Sequence, residues 1–124
     1  MAIRGIRGAI TVTRDEREEI LEKTRELLTA MQVANPTLQP AEIASAFFSV
    51  TADIQSAFPA EAARQIGWHR VPLLCFQEIP VPGSLPLCIR ILIHWNTGLA
   101  QGDIQHVYLG AARALRPDLS TERS

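Results

Sequence analysis

Two stretches of the chain alternate between apolar and other positions, as the two faces of a β-strand do. In residues 2–12, Arg7 lies between the very small Gly5 and Ala9 on one face, and the other face carries isoleucines. Residues 88–97 place three isoleucines and a tryptophan on a single face. Both stretches therefore predict strands, one near each end of the chain.

A different period appears in residues 16–34, where apolar side chains recur every three to four positions, as in a helix packed on a core. Asp15 is expected to be the N-cap, and the acidic first turn suits the positive end of the helix dipole. Asn35 and Pro36 are expected to end the helix. The predicted buried stripe consists of Ile20, Leu21, Thr24, Leu27, Leu28 and Met31.

The remaining elements are shorter, and strands alternate with helices without an internal repeat or a linker. This order predicts a mixed α+β fold, in which one long and one short helix pack on a single mixed sheet. The domain is expected to span residues 1–115, and residues 116–124 are expected to form a mobile tail. The shorter elements are a helical turn at 40–44, a strand at 46–51, a helix at 59–66, an extended segment at 71–81 that its prolines restrict to edge or bulged pairing, a strand at 106–109 and a helical turn through Leu115.

Composition narrows the class of protein. The 124 residues are 47% hydrophobic and 20% charged with a net charge of −1, which is typical of a soluble globular domain and gives no basic excess for nucleic acid. No apolar run approaches the roughly 18 residues of a membrane helix, and the N-terminus lacks a secretory apolar region, so a cytoplasmic protein is expected. The two cysteines and three histidines lack metal-ligand spacing, so neither a metal site nor a disulfide is expected.

Eleven of the twelve basic residues are arginine. Genomic base composition explains such a bias, but arginine also binds carboxylates and phosphates with two parallel hydrogen bonds. Arg90 interrupts an otherwise apolar strand, where a buried charge is costly unless it is paired. It therefore has an internal carboxylate partner, for which Glu78 is the candidate, or it awaits an anionic ligand. Arg7, with its small neighbours, either lies in a pocket or forms an ion pair at the surface.

Three further residues are candidates for a site. Glu78 is the only acidic residue between positions 62 and 102. It can accept a hydrogen bond from a hydroxyl or form an ion pair with an arginine. Cys75 has no base at a recognisable spacing, so a structural thiol competes with a nucleophile. Strict alternation places Cys75 and Glu78 on opposite strand faces, so they share a pocket only through a bulge or between subunits. Tyr108, the only tyrosine, suits core packing as well as a site.

Catalytic triads, paired catalytic carboxylates and phosphate loops are not found in the sequence. If the protein is an enzyme, the pattern predicts one that uses neither a protein nucleophile nor a metal. Four ordered segments then carry a resemblance that runs from residue 3 to residue 120. RGIRGAITV at 4–12, FPAEAAR at 58–64, VPLLCFQEIPVPGSLPLCIR at 71–90 and HVYLGAARALRPDLS at 106–120 resemble the monofunctional AroH-type chorismate mutases.

The resemblance implies a homotrimer of α/β pseudo-barrels with active sites at the subunit interfaces. It implies the rearrangement of chorismate to prephenate, a step toward phenylalanine and tyrosine, without a cofactor. By the family pattern, Arg7 holds a substrate carboxylate, and Arg90 lies against the ether oxygen and a carboxylate. Glu78 and the region of Cys75 contact the ring hydroxyl, and Tyr108 holds the substrate's side chain. The pocket is lined by Phe58, Ala60, Arg64, Leu73 and Leu74, and covered by Leu115 and Arg116.

The sequence departs from the family pattern at two positions. Glu61 stands where some relatives carry lysine, and an acid near a dianion is unfavourable unless it points away. Leu74 replaces a residue that is threonine in some relatives, which removes a hydroxyl contact. Neither departure affects Arg7, Glu78 or Arg90.

The chemistry that the resemblance implies agrees with the residues. A unimolecular pericyclic rearrangement needs a substrate held in its reactive conformer and a cation where negative charge grows on the ether oxygen. Arginines in strands supply both. Two alternatives stay open: a non-catalytic carboxylate-binding trimer with a regulatory role, and a deaminase of reactive enamines, an activity that trimers of similar architecture carry.

Overall fold

The computed structural model describes residues 1–115, and the predicted tail, with Arg116, lies outside this range. Its centre is a five-stranded mixed sheet with the order β3-β2-β4-β1-β5. The strands are β1 (Ala2–Thr11), β2 (Ile43–Val50), β3 (Leu73–Gln77), β4 (Cys88–Thr97) and β5 (Val107–Tyr108). The helices are α1 (Arg17–Ala34) and α2 (Ala60–Gln65), with 3-10 turns at Pro40–Glu42, Gln101–Asp103 and Gly110–Ala114.

The mixed α+β prediction, with one long and one short helix on one sheet, is confirmed. Strand β4 is central and pairs antiparallel with both β1 and β2, whereas β3 and β5 add to the two sides in parallel. Of the extended segment predicted at 71–81, Leu73–Gln77 form the strand that pairs with β2. No helix within residues 1–115 is long and apolar enough to cross a membrane.

One face of the sheet forms the hydrophobic core. All six residues of the stripe predicted on α1 are buried, and the isoleucines and tryptophan of β4 are buried against them. Gly8 lets α1 lie close to β1, because a Cβ atom there would be 2.6 Å from Met31 Sδ and 3.3 Å from Leu27 Cδ1. The sheet is therefore covered by helices on one side, and the second face is left for other contacts.

The start of α1 differs from the prediction. The N-cap position is Glu16, and no side chain caps the helix there. Asp15 Oδ1 instead accepts hydrogen bonds from the backbone N–H groups of Gln55 (2.9 Å) and Ser56 (3.0 Å). The Gln55 N–H holds the pKa of Asp15 below its usual value. Asp15 therefore joins two distant loops rather than capping its own helix, and the N-cap prediction is wrong.

The close approach at Gly8 predicts the result of adding a methyl group there. Gly8→Ala is expected to lower the free energy of unfolding by about 1–3 kcal/mol, since fully buried Met31 and Leu27 have to move. Urea unfolding measures the change. Gly98→Ala is the matched control, because a Cβ atom at Gly98 has no atom within 4 Å. Equal stability of the Gly8 variant and the wild type would contradict the packing described.

Candidate active site

The second face of the sheet carries the polar residues that the sequence singled out. Paired residues of neighbouring strands project from the same face, so the registers define rows of side chains across the sheet. One row crosses all five strands at the level of Arg90, whose neighbours in the row, Ser49 and Ala9, are both small. The complete row is Phe76, Ser49, Arg90, Ala9 and Tyr108. These small neighbours leave space above the sheet for the guanidinium.

That space is a cleft of about 460 Å³, and it brings together four of the predicted site residues: Arg7, Arg90, Tyr108 and Leu115. Arg7 pairs with Leu92 in the next row, so Arg7 and Arg90 are diagonal neighbours on adjacent strands. Among residues 1–115, no carboxylate lies within ion-pair distance of Arg7, so the surface ion pair considered for it is not found there. The cleft therefore has two cationic side chains on one wall.

Glu78 holds Arg90 from one side. Its Oε1 lies 3.6 Å from Arg90 Nε and accepts a hydrogen bond of 2.9 Å from the Ser49 hydroxyl. The ion pair expected as one alternative is therefore present. The expected burial is wrong for this chain, because the Arg90 side chain is 44% exposed. The reason is that β4, although central, is covered by helices on only one face.

The start of β4 is held by a second carboxylate. Leu87, the residue before β4, has a φ of +51°, a conformation that is costly for a leucine. Both carboxylate oxygens of Asp53 accept a hydrogen bond from the Leu87 N–H, at 3.0 and 3.2 Å. The Thr51 hydroxyl accepts the next N–H, that of Cys88, at 3.0 Å. These bonds fix the register of β4 three residues before Arg90.

Side chains also hold the backbone of β1 beside the cleft. The Arg7 N–H donates to His106 Nδ1 at 2.9 Å, which requires that this nitrogen carries no proton. Two residues earlier, the Gln101 amide bonds both the N–H (3.0 Å) and the carbonyl (2.7 Å) of Gly5. The pairing of β1 with β5 is thus continued by two side chains, and the position of Arg7 is fixed.

Tyr108 is packed into the protein and also reaches the cleft. It is 4% exposed and packs with Ala9, Cys88 and Ala112 in a small cluster, against which Leu115 is partly buried. Its side chain nevertheless borders the cleft. The 3-10 turn Gly110–Ala114 therefore covers one end of the open face, and Tyr108 and Leu115, on either side of the turn, border the cleft.

The other predicted site residues lie elsewhere on the chain. Cys75 and Phe58 line a separate cleft of about 440 Å³ beside α2. Cys75 packs toward the core side of the sheet, whereas Glu78 contacts Ser49 and Arg90 on the open side, as the alternation predicted. Ala60 and Arg64 belong to α2, Leu73 packs against the core, and Leu74 is 57% exposed on the open face.

Several residues of the first cleft were not found from the sequence. Phe47, Ser49, Phe76, Leu92 and His94 all line it. Alternation within the segment 46–51 places Phe47 and Ser49 on one face, but the sequence does not show which strands lie beside it. Arg17, which lines the second cleft, was also missed, because it lies on the charged side of a predicted helix.

The fold and this face of the sheet define a small α+β protein with two arginines on one wall of an open cleft. The chain matches the family "Chorismate mutase type I" over residues 3–119. It is 58% identical over 119 residues to "Chorismate mutase AroH" of Thermus thermophilus, covering 96% of this chain and 98% of that protein. It is 46% identical over 125 residues to "Chorismate mutase AroH" of Bacillus subtilis (strain 168), covering 100% and 98%.

A solved structure agrees with these relatives. A chorismate mutase from Clostridium thermocellum superimposes with a TM-score of 0.86 at 46% identity, over 89% of this chain and 97% of that one. The chain therefore belongs to the type I chorismate mutases, as its sequence segments indicated, and it is an enzyme of that activity.

The environment of Cys75 predicts its reactivity. Burial raises the pKa of the Cys75 thiol, and the nearby Ala60 N–H and Arg64 offset this only in part. The thiol is therefore neutral at pH 7, and native Cys75 is expected to react with iodoacetamide at least about tenfold more slowly than in the unfolded chain. Mass spectrometry over time measures the rates, with fully buried Cys88 as the internal control. Native alkylation as fast as unfolded alkylation would show an activated thiol.

Proposed function

We propose that the chain converts chorismate to prephenate, in the synthesis of phenylalanine and tyrosine, in the cleft that contains Arg7 and Arg90. The observation that carries this proposal is the diagonal pair of arginines on β1 and β4, above small neighbours in an open face. Chorismate is a dianion with two carboxylates, and two guanidinium groups on adjacent strands suit both. Binding both carboxylates favours the compact conformer from which the rearrangement proceeds.

Arg90 supplies the electrostatic part of the mechanism. Negative charge grows on the ether oxygen as its carbon–oxygen bond breaks, and a fixed cation beside it lowers the barrier without reorganisation. Glu78 contacts Arg90 at Nε, the inner end of the guanidinium, and Ser49 holds the same carboxylate oxygen. This arrangement orients the outer end of Arg90 toward the cleft. Glu78 also accepts a hydrogen bond from the ring hydroxyl of the substrate. Tyr108 and Leu115 close one end of the site.

We propose that a neighbouring subunit completes each site. A second surface consists of Phe58 and Cys75 in the second cleft with Ala60 and Arg64 of the adjoining α2, and Phe76 borders both this cleft and the one that contains Arg7 and Arg90. Several large apolar side chains are exposed on or beside the open face, which is typical of an interface. They are Phe58 (70% exposed), Leu74 (57%), Phe76 (49%) and Leu92 (37%). Two unlike surfaces that join head to tail close into a ring, and a homotrimer is the proposed ring.

We also propose a cytoplasmic location for the protein. Cys75 and Cys88 are both free thiols, which suits the reducing cytoplasm. Leu73 and Leu74 lie on β3, next to the second surface, and are proposed to line the shared site with it. We propose no cofactor, because the rearrangement transfers no electrons and requires no nucleophile.

Removal of the Arg90 guanidinium tests the mechanism. Arg90→Ala is expected to lower kcat by roughly 10²–10³-fold, as the loss of one preorganised donor does. Arg90→Lys is also expected to be poor, because the charge remains but the planar fork is lost. Loss of the ultraviolet absorbance of chorismate measures the rate. Arg70→Ala is the control, since Arg70 is exposed and lines neither cleft.

A near-normal rate in either Arg90 variant would contradict the proposed role of this residue. A wild-type protein that assembles and binds a transition-state analogue, yet leaves chorismate unchanged, would instead favour the carboxylate-binding alternative.

Mixed oligomers test the sharing of sites between subunits. Arg90→Ala and Arg64→Ala chains are unfolded together at equal concentrations, refolded and assayed. If the two residues act in one site from different subunits, about one quarter of the sites regain both, and activity is expected to recover accordingly. A mixture of Arg90→Ala and Arg7→Ala chains is the matched control, because both arginines lie on one surface and no complete site can form.

The oligomer itself is measured by light scattering, which is expected to give about three times the chain mass of 13.7 kDa. No recovery in the first mixture, from an oligomer of the expected mass, would contradict the shared site.

A further inference from the structure

An ion pair that the mechanism above does not use joins the two helices. Arg17, the first residue of α1, donates from Nη1 to Glu61 Oε1 at 2.8 Å and from Nη2 to Glu61 Oε2. Glu61 is the second residue of α2. The two parallel bonds form a planar fork, which fixes the orientation of the guanidinium better than a single contact does. The position of Arg17 is therefore set by α2.

The two partners face in different directions. Arg17 lines the same cleft as Phe58 and Cys75, and Glu61 does not. The Arg17 side chain is also the more exposed of the two, at 52% against 29% for Glu61. The guanidinium of Arg17 therefore borders the cleft, and the carboxylate of Glu61 lies outside it.

Arg17 is the only charged side chain among the described residues that line this cleft. The Arg17 hydrogen bonds hold the pKa of Glu61 below its usual value, so Glu61 is ionised at neutral pH. The carboxylates nearby are held by other partners, Glu61 by Arg17 and Asp15 by the backbone N–H groups of Gln55 and Ser56. The fork occupies two of the five N–H groups of Arg17, which leaves donors for a second carboxylate. Glu61, which by itself would repel a dianion, instead holds a cation toward the cleft.

We propose that Arg17 is a substrate-binding residue, which contacts a carboxylate of the dianionic substrate at the mouth of the shared site, and that Glu61 is its positioning residue. This inference rests on the proposed function, because the cleft that Arg17 lines is the surface proposed to complete the neighbouring site. Since Arg17 is half exposed and stands at the mouth of the site, it acts on the affinity for the substrate and not on the chemical step.

Two single variants separate binding from a structural tie. Arg17→Ala and Glu61→Ala break the same bond between α1 and α2, but only the first removes the cation. Arg17→Ala is expected to raise KM about fivefold with kcat within about twofold, as the loss of a partly screened charged contact does. Glu61→Ala keeps the cation but no longer fixes its orientation, so it is expected to raise KM less than Arg17→Ala does. The double variant is expected to behave like Arg17→Ala.

Two controls complete the experiment. Lys23→Ala removes another ion-paired cation from α1, outside the second cleft, and is expected to leave KM unchanged. The effect of Arg17→Ala on KM is expected to shrink as salt is added, because the contact is exposed.

Four outcomes would overturn the proposal. Equal rises of KM in Arg17→Ala and Glu61→Ala would indicate only a tie between the helices. A double variant with the wild-type KM would mean that Arg17 merely neutralises Glu61. An unchanged KM in Arg17→Ala, with active wild type, would overturn this inference and leave the proposed function intact. A wild type without chorismate turnover would overturn both.

Discussion

The ion pair between Glu78 and Arg90 is the interaction on which the proposed site depends. An arginine in the middle of a central strand is costly when both faces of the sheet are covered. Here only one face is covered, small residues flank Arg90 in its row, and Glu78 holds the inner end of its guanidinium. Asp53 and Ser49 support this pair by fixing the start of β4 and the carboxylate oxygen. The cation is therefore fixed before any ligand arrives.

The rearrangement that the family catalyses needs a substrate held in its reactive conformer and cationic side chains at fixed positions. Different elements of the fold supply these. The sheet registers set the spacing of Arg7 and Arg90, and the side chains of His106 and Gln101 hold β1 at that level. The neutral thiol of Cys75 agrees with a mechanism that lacks a nucleophile. Cationic side chains line both clefts of the chain, Arg7 and Arg90 the first and Arg17 the second.

The elements and the core were predictable from the sequence because they depend on local periodicity. Six of six stripe residues on α1 are buried, and the alternation of Cys75 and Glu78 is observed. The predictions that were wrong or missing involve residues whose partners lie far away in the sequence. Asp15 resembles an N-cap locally, but its donors lie 40 and 41 residues away, and Arg17 finds Glu61 across 44 residues. The rows of the open face depend on strand order, which local patterns do not contain. The four sequence segments identified the family where periodicity alone left several functions open.

The side chains that extend the pairing of β1 have a consequence for solubility. A strand edge with unpaired backbone groups is a template on which a foreign strand can add, and addition of this kind leads to fibres. Gln101 and His106 occupy those groups on Gly5 and Arg7, beyond the two-residue β5. On the opposite side, β3 has only five residues, between Pro72 and Pro80. Both borders of the sheet therefore resist the open-ended addition of further strands.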